Sequence, residues 1–265
     1  GAATAAARLG ARTILVERAG YPGGMATQSN CFHLMGYGVG GRQVVGGVAA
    51  ELARRMNRTG DAFLQTSASK PDYKPMAGRP LDTEVIVTDH GMRVHANQML
   101  LEAGVQLQYY TALLGAVTNG RRLTAVAVDC REGPRLIKAR AFVDATGDAH
   151  LVHRAGGACI EAPPEQAMTK TLLIDVGGVK NYDRSACREC YAELHAAGRV
   201  PFKEQDRFMG IKCIEPELVH LNFSLTAGNA LRSDELTRMD VELREQISTA
   251  VAWFREHMPQ FRDSF

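Results

Sequence analysis

Two hydrophobic periods alternate along the chain, and their order predicts a mixed α/β architecture. Ala2 to Leu9 is a helix-favouring run that Gly10 is placed to close. Thr13-Ile14-Leu15-Val16 follows, apolar without alternation, as in a parallel strand buried on both faces. It ends at Glu17-Arg18 and the loop AGYPGGMATQSN. Helix, tight turn, buried strand and terminal acid make half of a Rossmann unit. From Gln43 to Arg58 the spacing turns helical, with Val44, Val48, Leu52 and Met56 on one face. Asn57 to His90 is polar, carries Pro71, Pro75 and Pro80, and shows little periodicity. It predicts a long excursion across the surface or into a second domain.

A helix from about Met92 to Ala103 ends at Gly104, and Val105 to Thr111 reads as a strand. A β-meander comes next: Leu113–Thr118, an Asn119-Gly120 turn, Leu123–Asp129, a Glu132-Gly133-Pro134 turn and Leu136–Ala139. Arg140 to Ala145 is expected as a further buried strand, running into Thr146-Gly147-Asp148. Beyond Gly157, Met168–Val176 and Glu217–Leu225 read as strands and Asp183–Ala197 as a helix. Asp234 to Met258 reads as a long helix that Ser233 caps and Pro259 stops. Its apolar stripe is Leu236, Met239, Leu243, Ile247, Val251 and Phe254.

Composition narrows the class. The 265 residues are 45% hydrophobic and 23% charged, with a net charge of +2, too small to call for a nucleic-acid or membrane partner. No stretch approaches the roughly 20 apolar residues of a membrane span. The alanine-rich opening lacks the basic leader and hydrophobic core of an export signal. Six cysteines, at 31, 130, 159, 187, 190 and 213, are scattered rather than framed, so reduced thiols in a cytoplasmic protein are expected.

The dinucleotide fingerprint asks for G-x-G-x-x-G between strand and helix, with an acid about 20 residues after the first glycine. Gly1 fits as its third glycine and Glu17 as its acid. On this reading Gly1 allows close helix–sheet packing, and Glu17 accepts hydrogen bonds from a ribose diol. A ribose diol belongs to NAD(P) as much as to FAD, so both remain open at this point. Cys31 and His33 follow the GGMAT loop, where a thiolate or an imidazole could serve a redox site. Cys187-Arg188-Glu189-Cys190 is a CxxC with only Cys213 and His195 near enough to complete a metal site, and a structural role is expected. His150 and His153 share a helix face, where surface polarity accounts for them. Gly36 to Gly41 resembles a phosphate cradle, but no Lys-Ser/Thr follows, which excludes a P-loop. That backbone is expected along a cofactor or substrate.

The segments GAATAAARLGARTILVERAGYPGGMAT, MLLEAGVQLQYYT, ARAFVDATGDAHLVHRAG and QAMTKTLLIDVGGV are similar to those of the FAD-dependent oxidoreductase family with a glutathione-reductase-like flavin domain. The resemblance runs on to MPQFRDSF. It implies an α/β fold: a Rossmann-type FAD-binding domain with a β-meander insertion, over 1–57 and 92–160, plus a second substrate or cap domain, over 58–91 and 161–265. It also implies a first strand with two more glycines ahead of Gly1 and a flavin-contacting segment beyond Phe265. Carried over, Gly1 belongs to the phosphate turn, Glu17 to the ribose and Arg18 to the adenosine. Gly23, Gly24, Met25 and Thr27 pass under the pyrophosphate, Leu113 meets adenine through its backbone, and Ala145, Thr146, Gly147 and Asp148 close over the cofactor. The implied activity is flavin-dependent oxidation or reduction of a small molecule, with NAD(P)H or another electron donor or acceptor as partner. An NAD(P)-binding dehydrogenase and a non-catalytic dinucleotide-binding subunit are the rival readings.

Overall fold

The computed structural model describes residues 1–65, 81, 84–163, 166–200, 209–212 (backbone only) and 217–265. They form two compact units, Gly1–Ile160 and Glu161–Phe265.

The first unit begins with α1 (Ala2–Arg8) and β1 (Ile14–Val16), followed by the one-turn α2 (Met25–Gln28) and the short strand β2 (His33–Leu34). A small hairpin, β3 (Gly38–Val39) and β4 (Arg42–Gln43), turns at Gly40-Gly41. Then come α3 (Gly47–Arg58), β5 (Ala62–Gln65), β6 (Glu84–Val87) and α4 (Asp89–Glu102). β7 (Gln106–Gln108) pairs in parallel with β1, in the register Leu15↔Leu107. A parallel pair needs a long crossover, and α4 is its last element before the chain re-enters the sheet. The meander β8 (Ala112–Asn119), β9 (Arg122–Cys130) and β10 (Gly133–Lys138) turns at Gly120, with Asn119 opposite Arg122. The short α5 (His150–Arg154) follows.

Two cores organise this unit. Met56 on α3, Leu64 on β5, Val85, Ile86 and Val87 on β6, and Met99 on α4 are all buried around the antiparallel sheet β2-β6-β5. The 58–91 stretch, expected as part of the substrate or cap domain, thus supplies β5 and β6 to the first unit. A polar knot ties α3 to α4. The Asp61 carboxylate accepts the Thr59 hydroxyl at 2.6 Å and the Thr88 hydroxyl at 2.9 Å, and the Thr88 oxygen accepts the Gly91 amide to cap α4. The second core is a cluster of Val126, Val128 and Leu151, with Val16, Leu113, Ile137 and Phe142 packed against it.

The second unit holds β11 (Ile174–Val176), α6 (Arg184–Ala196), β12 (Met209–Lys212), β13 (Val219–Asn222) and α7 (Ser233–His257), with a 3-10 turn at Pro259–Phe261. The sheet runs antiparallel in the order β11-β13-β12. Alternation along β13 puts Val219, Leu221 and then Phe223 into a core with Leu194, Phe254 and Phe261. Asp183 caps α6 by accepting the Ser185 amide at 2.8 Å.

Four expectations are corrected. Arg140–Ala145 joins no sheet among the described residues. Phe142 packs inward while Val143 is 71% exposed, and no described strand supplies the ladder that would make this extended segment a strand. The helix expected from Gln43 starts at Gly47, because the hairpin takes Arg42 and Gln43. Its buried face is Ala50, Ala53 and Met56, leaving Val44 60% exposed. Ser233 is the first residue of α7 rather than its cap; Arg232 holds that position and no side chain caps it. The strand expected from Met168 is regular only from Ile174, since the Ser224 hydroxyl both donates to and accepts from the Leu172 backbone in place of ladder bonds.

Candidate functional site: a cofactor cradle around the β1 terminus

Glu17 stands at the carboxyl end of β1, where parallel α/β sheets bind ligands. Its amide donates to the Gln108 carbonyl at 3.0 Å and its carbonyl accepts the Thr111 amide at 3.0 Å, so the strand end is fixed from both sides. The side chain is half-buried and Oε1 accepts the Ala19 amide at 2.8 Å. Oε2 makes no hydrogen bond among the described residues. Tyr110, at φ +52°, donates its amide to the Ala19 carbonyl and lays its ring against Gly20. Arg18 is exposed beside this turn.

The A-T-G-D turn is built from one carboxylate. Asp144 Oδ1 accepts both the Thr146 amide at 3.0 Å and the Thr146 hydroxyl at 2.7 Å, while Oδ2 accepts the Val152 amide at 3.0 Å. The Thr146 oxygen in turn accepts the His150 amide at 2.9 Å, so the two side chains together cap α5. Burial works to raise the Asp144 carboxyl, but these hydrogen bonds outweigh it and hold the group below its ordinary value. Ala145, Thr146, Gly147 and Asp148 are all exposed above this scaffold, with Gly147 at φ +94°. At the far end of α5, the Arg154 guanidinium donates to the Leu113 carbonyl.

The loop from Gly20 to Gln28 lies against α4. Gly23 and Gly24 take φ +126° and +55°, exposing a short arc with Met25 between the buried residues Pro22 and Ala26-Thr27. The Thr27 hydroxyl donates to the Pro22 carbonyl at 3.1 Å, and the Thr27 carbonyl accepts from Arg93. The Cys31 amide reaches back to the Met25 carbonyl at 3.2 Å, which keeps the half-buried thiol next to this arc. His33 lies on β2 with Nδ1 3.7 Å from the Glu84 carboxylate. Gly1 opens α1, where an added Cβ would meet nothing within 4 Å; the close packing expected of it is not seen among the described residues.

Leu113 packs in one small core with Val16, the residue before Glu17, and with Phe142 and Leu151, which stand on either side of the Ala145–Asp148 turn in the chain. Sequence reasoning missed the residues that hold this arrangement. Asp144 was within reach, since an Asp two positions before a Thr can bond its amide and hydroxyl. Arg154 and Arg93 left no local trace, because their partners lie 41 and 66 residues away.

The CxxC carries a different meaning. Cys187 and Cys190 are both buried in the core of the second unit. Burial, with the neighbouring Cys190 adding to it, pushes the Cys187 thiol up to about 12. Among the described residues no three His, Cys, Asp or Glu side chains converge on a metal position, and Cys213 lies outside those residues. No described helix is long and apolar enough to cross a membrane. The Gly36–Gly41 segment is the β3–β4 hairpin rather than an open cradle.

A carboxylate at a strand terminus, an exposed arc of two left-handed glycines and an open glycine turn suit a ribose and a pyrophosphate. With α4 crossing between parallel strands and the meander attached, they define a Rossmann-type dinucleotide-binding fold. The chain belongs to the FAD dependent oxidoreductase family, whose model matches residues 1–265. Solved structures share the fold. A geranylgeranyl bacteriochlorophyll reductase-like protein from Thermoplasma acidophilum is similar over 100% of this chain and 60% of its own, with a TM-score of 0.61 and 12% identity. BexE, studied for oxidation during BE-7585A biosynthesis, is similar over 91% of this chain and 45% of its own, at a TM-score of 0.53 and 14% identity. CabE, an aromatic hydroxylase from angucycline biosynthesis, is similar over 86% of this chain and 42% of its own, at 0.50 and 12%. The chain thus spans 42% to 60% of the length of these structures. No curated protein matches it.

Proposed function

We propose that this chain forms the FAD-holding part, and some of the substrate-facing part, of an enzyme that oxidises or reduces a small molecule. The observation that carries the reading is that Leu113 shares one small core with Val16, next to Glu17, and with Phe142 and Leu151, which flank the Ala145–Asp148 turn. In this reading Glu17 takes the ribose diol and Arg18 lies along the adenosine. Leu113 meets adenine through its backbone. Gly1, Gly23, Gly24, Met25 and Thr27 lie along the pyrophosphate, and Ala145, Thr146, Gly147 and Asp148 close over it. When bound, FAD supplies two-electron redox chemistry. The chain's share is to bind, to orient and to exclude water, with Cys31 and His33, which follow this arc along the chain, as the proposed groups at the reacting end. The unit Gly1–Ile160 is assigned to the cofactor and Glu161–Phe265 to the substrate. NAD(P)H or another carrier is the proposed electron partner. The free thiols Cys31, Cys130, Cys159, Cys187 and Cys190 suit a reducing compartment such as the cytoplasm.

FAD titration followed by flavin absorbance tests the reading. Glu17→Gln removes a charged acceptor, a loss of about 1.5–3 kcal/mol or roughly ten- to hundredfold in Kd. Wild-type affinity in Glu17→Gln and in Gly147→Val together refutes it. Cys31→Ser and His33→Gln with full turnover and an unchanged flavin spectrum would remove those two residues from the chemistry and leave the cofactor site standing.

A further inference from the structure

Arg93 sits on α4, a helix that holds none of the cofactor-contacting residues named above, yet its guanidinium grips both ends of the glycine arc. Nη2 donates to the Thr27 carbonyl at 3.0 Å. The guanidinium carbon lies 4.0 Å from the centre of the Tyr21 ring. One turn back on α4, Asp89 accepts the same nitrogen at 2.7 Å and holds the long side chain in place. Between the gripped residues run Pro22, Gly23, Gly24, Met25 and Ala26, and the Thr27 hydroxyl bonded to the Pro22 carbonyl closes the loop on itself. The three exposed residues of the arc are therefore slung between anchors that meet at a single side chain. A planar guanidinium can stack on a ring face while its in-plane N–H groups reach a carbonyl and a carboxylate. An ammonium offers the charge and the hydrogen bonds but not the stacking plane.

We infer that Arg93 is the positioning residue of this loop, setting the backbone at Gly23 and Gly24 in the shape the cofactor meets. The inference rests on the FAD reading of the loop. It predicts that cofactor affinity responds to a residue that no phosphate- or ribose-binding pattern would select.

The test uses the full chain as wild type, Arg93→Met, Arg93→Lys and Tyr21→Leu, with two measurements on each. Hydrogen exchange without FAD reads the loop directly, because the amides of Ala26, Thr27 and Gln28 close on Gly23 and Gly24 and that of Cys31 on Met25. FAD titration reads the consequence. Arg93→Met is expected to speed exchange over 26–31 by about tenfold or more, leave the meander unchanged and weaken FAD binding by a similar factor. Arg93→Lys and Tyr21→Leu keep part of the grip and are expected between it and wild type, and they decide the matter if Arg93→Met does not fold. Exchange over 26–31 that stays at the wild-type rate in all variants overturns the inference. So does faster exchange with undiminished FAD affinity, while leaving the FAD reading intact. A wild-type chain that takes up no FAD overturns that reading and the inference together.

Discussion

Replacing Gly23 by alanine puts a methyl group where the structure has no room. A Cβ built at this position stands 2.4 Å from the Thr27 Cγ2 and 2.6 Å from its Oγ1, with φ at +126°. Thr27 is in no position to yield: it is buried, its hydroxyl is committed to Pro22 and its carbonyl to Arg93. Gly24 is the internal control, since it too has a positive φ, +55°, but a Cβ there meets nothing within 4 Å. Gly24→Ala should cost the backbone strain alone, about 1–3 kcal/mol at φ +55° and ψ −124°. Gly23→Ala adds to a strain of about 1–3 kcal/mol an overpacking cost of about the same size, for roughly 2–6 kcal/mol in all. Because the loop is a small local element, much of this can be released by opening the loop rather than unfolding the unit. The difference should then appear as faster amide exchange over 26–31 and weaker FAD binding in Gly23→Ala, with a smaller fall in Tm. Exchange mass spectrometry and FAD titration of the two variants side by side make the comparison. If the two are indistinguishable, the close approach of Gly23 to Thr27 is not what shapes the loop.

Three further outcomes are expected. Asp61→Ala removes two hydrogen bonds to a carboxylate that is 24% exposed, so roughly 2–3 kcal/mol and about 5–10 °C in Tm should go, read by thermal denaturation. Burial opposes the Asp61 charge, but the Thr59, Thr88 and His95 contacts outweigh it and hold its carboxyl below the ordinary 3.8. A folded-state value below the unfolded one means this contribution is complete above the ordinary carboxylate range and fades as pH falls through the lowered value; a variant equally sensitive to acid as wild type would contradict it. Phe254→Ala empties a fully buried site against Phe223 and Phe261 and should cost about 3–5 kcal/mol by denaturant titration, and a loss under about 1 kcal/mol would show that core to be loose. Native-state labelling with a thiol reagent should modify the exposed Cys159 first and the buried Cys187 and Cys190 last; about one zinc per chain by metal analysis would refute the structural role of that pair.

Local chemistry made much of the fold legible. The Ala2–Arg8 helix and the meander needed only neighbouring residues, because propensity and an Asn-Gly turn act within a few positions. Boundaries went astray where a partner decided them. Gln43 reads as helix by spacing and is a strand because Gly38 faces it, and Phe142 and Val143 read as strand but find no described strand partner. Glu17 and the A-T-G-D turn were legible as a pattern, whereas the Asp144 carboxylate that builds the turn was overlooked.

By itself the sequence determined the candidates for a dinucleotide site: Gly1 and Glu17 by their spacing, and Gly23, Gly24 and Gly147 by the resemblance of their segments to the family. Only the tertiary structure decided that Val16, Leu113, Phe142 and Leu151 share one core, that Arg154 fastens α5 to β8, and that Arg93 grips the glycine arc. The physical reason is range. Backbone preference is written in a residue and its neighbours, but a guanidinium reaching a carbonyl 41 or 66 positions away depends on where the packing of everything between has brought the two.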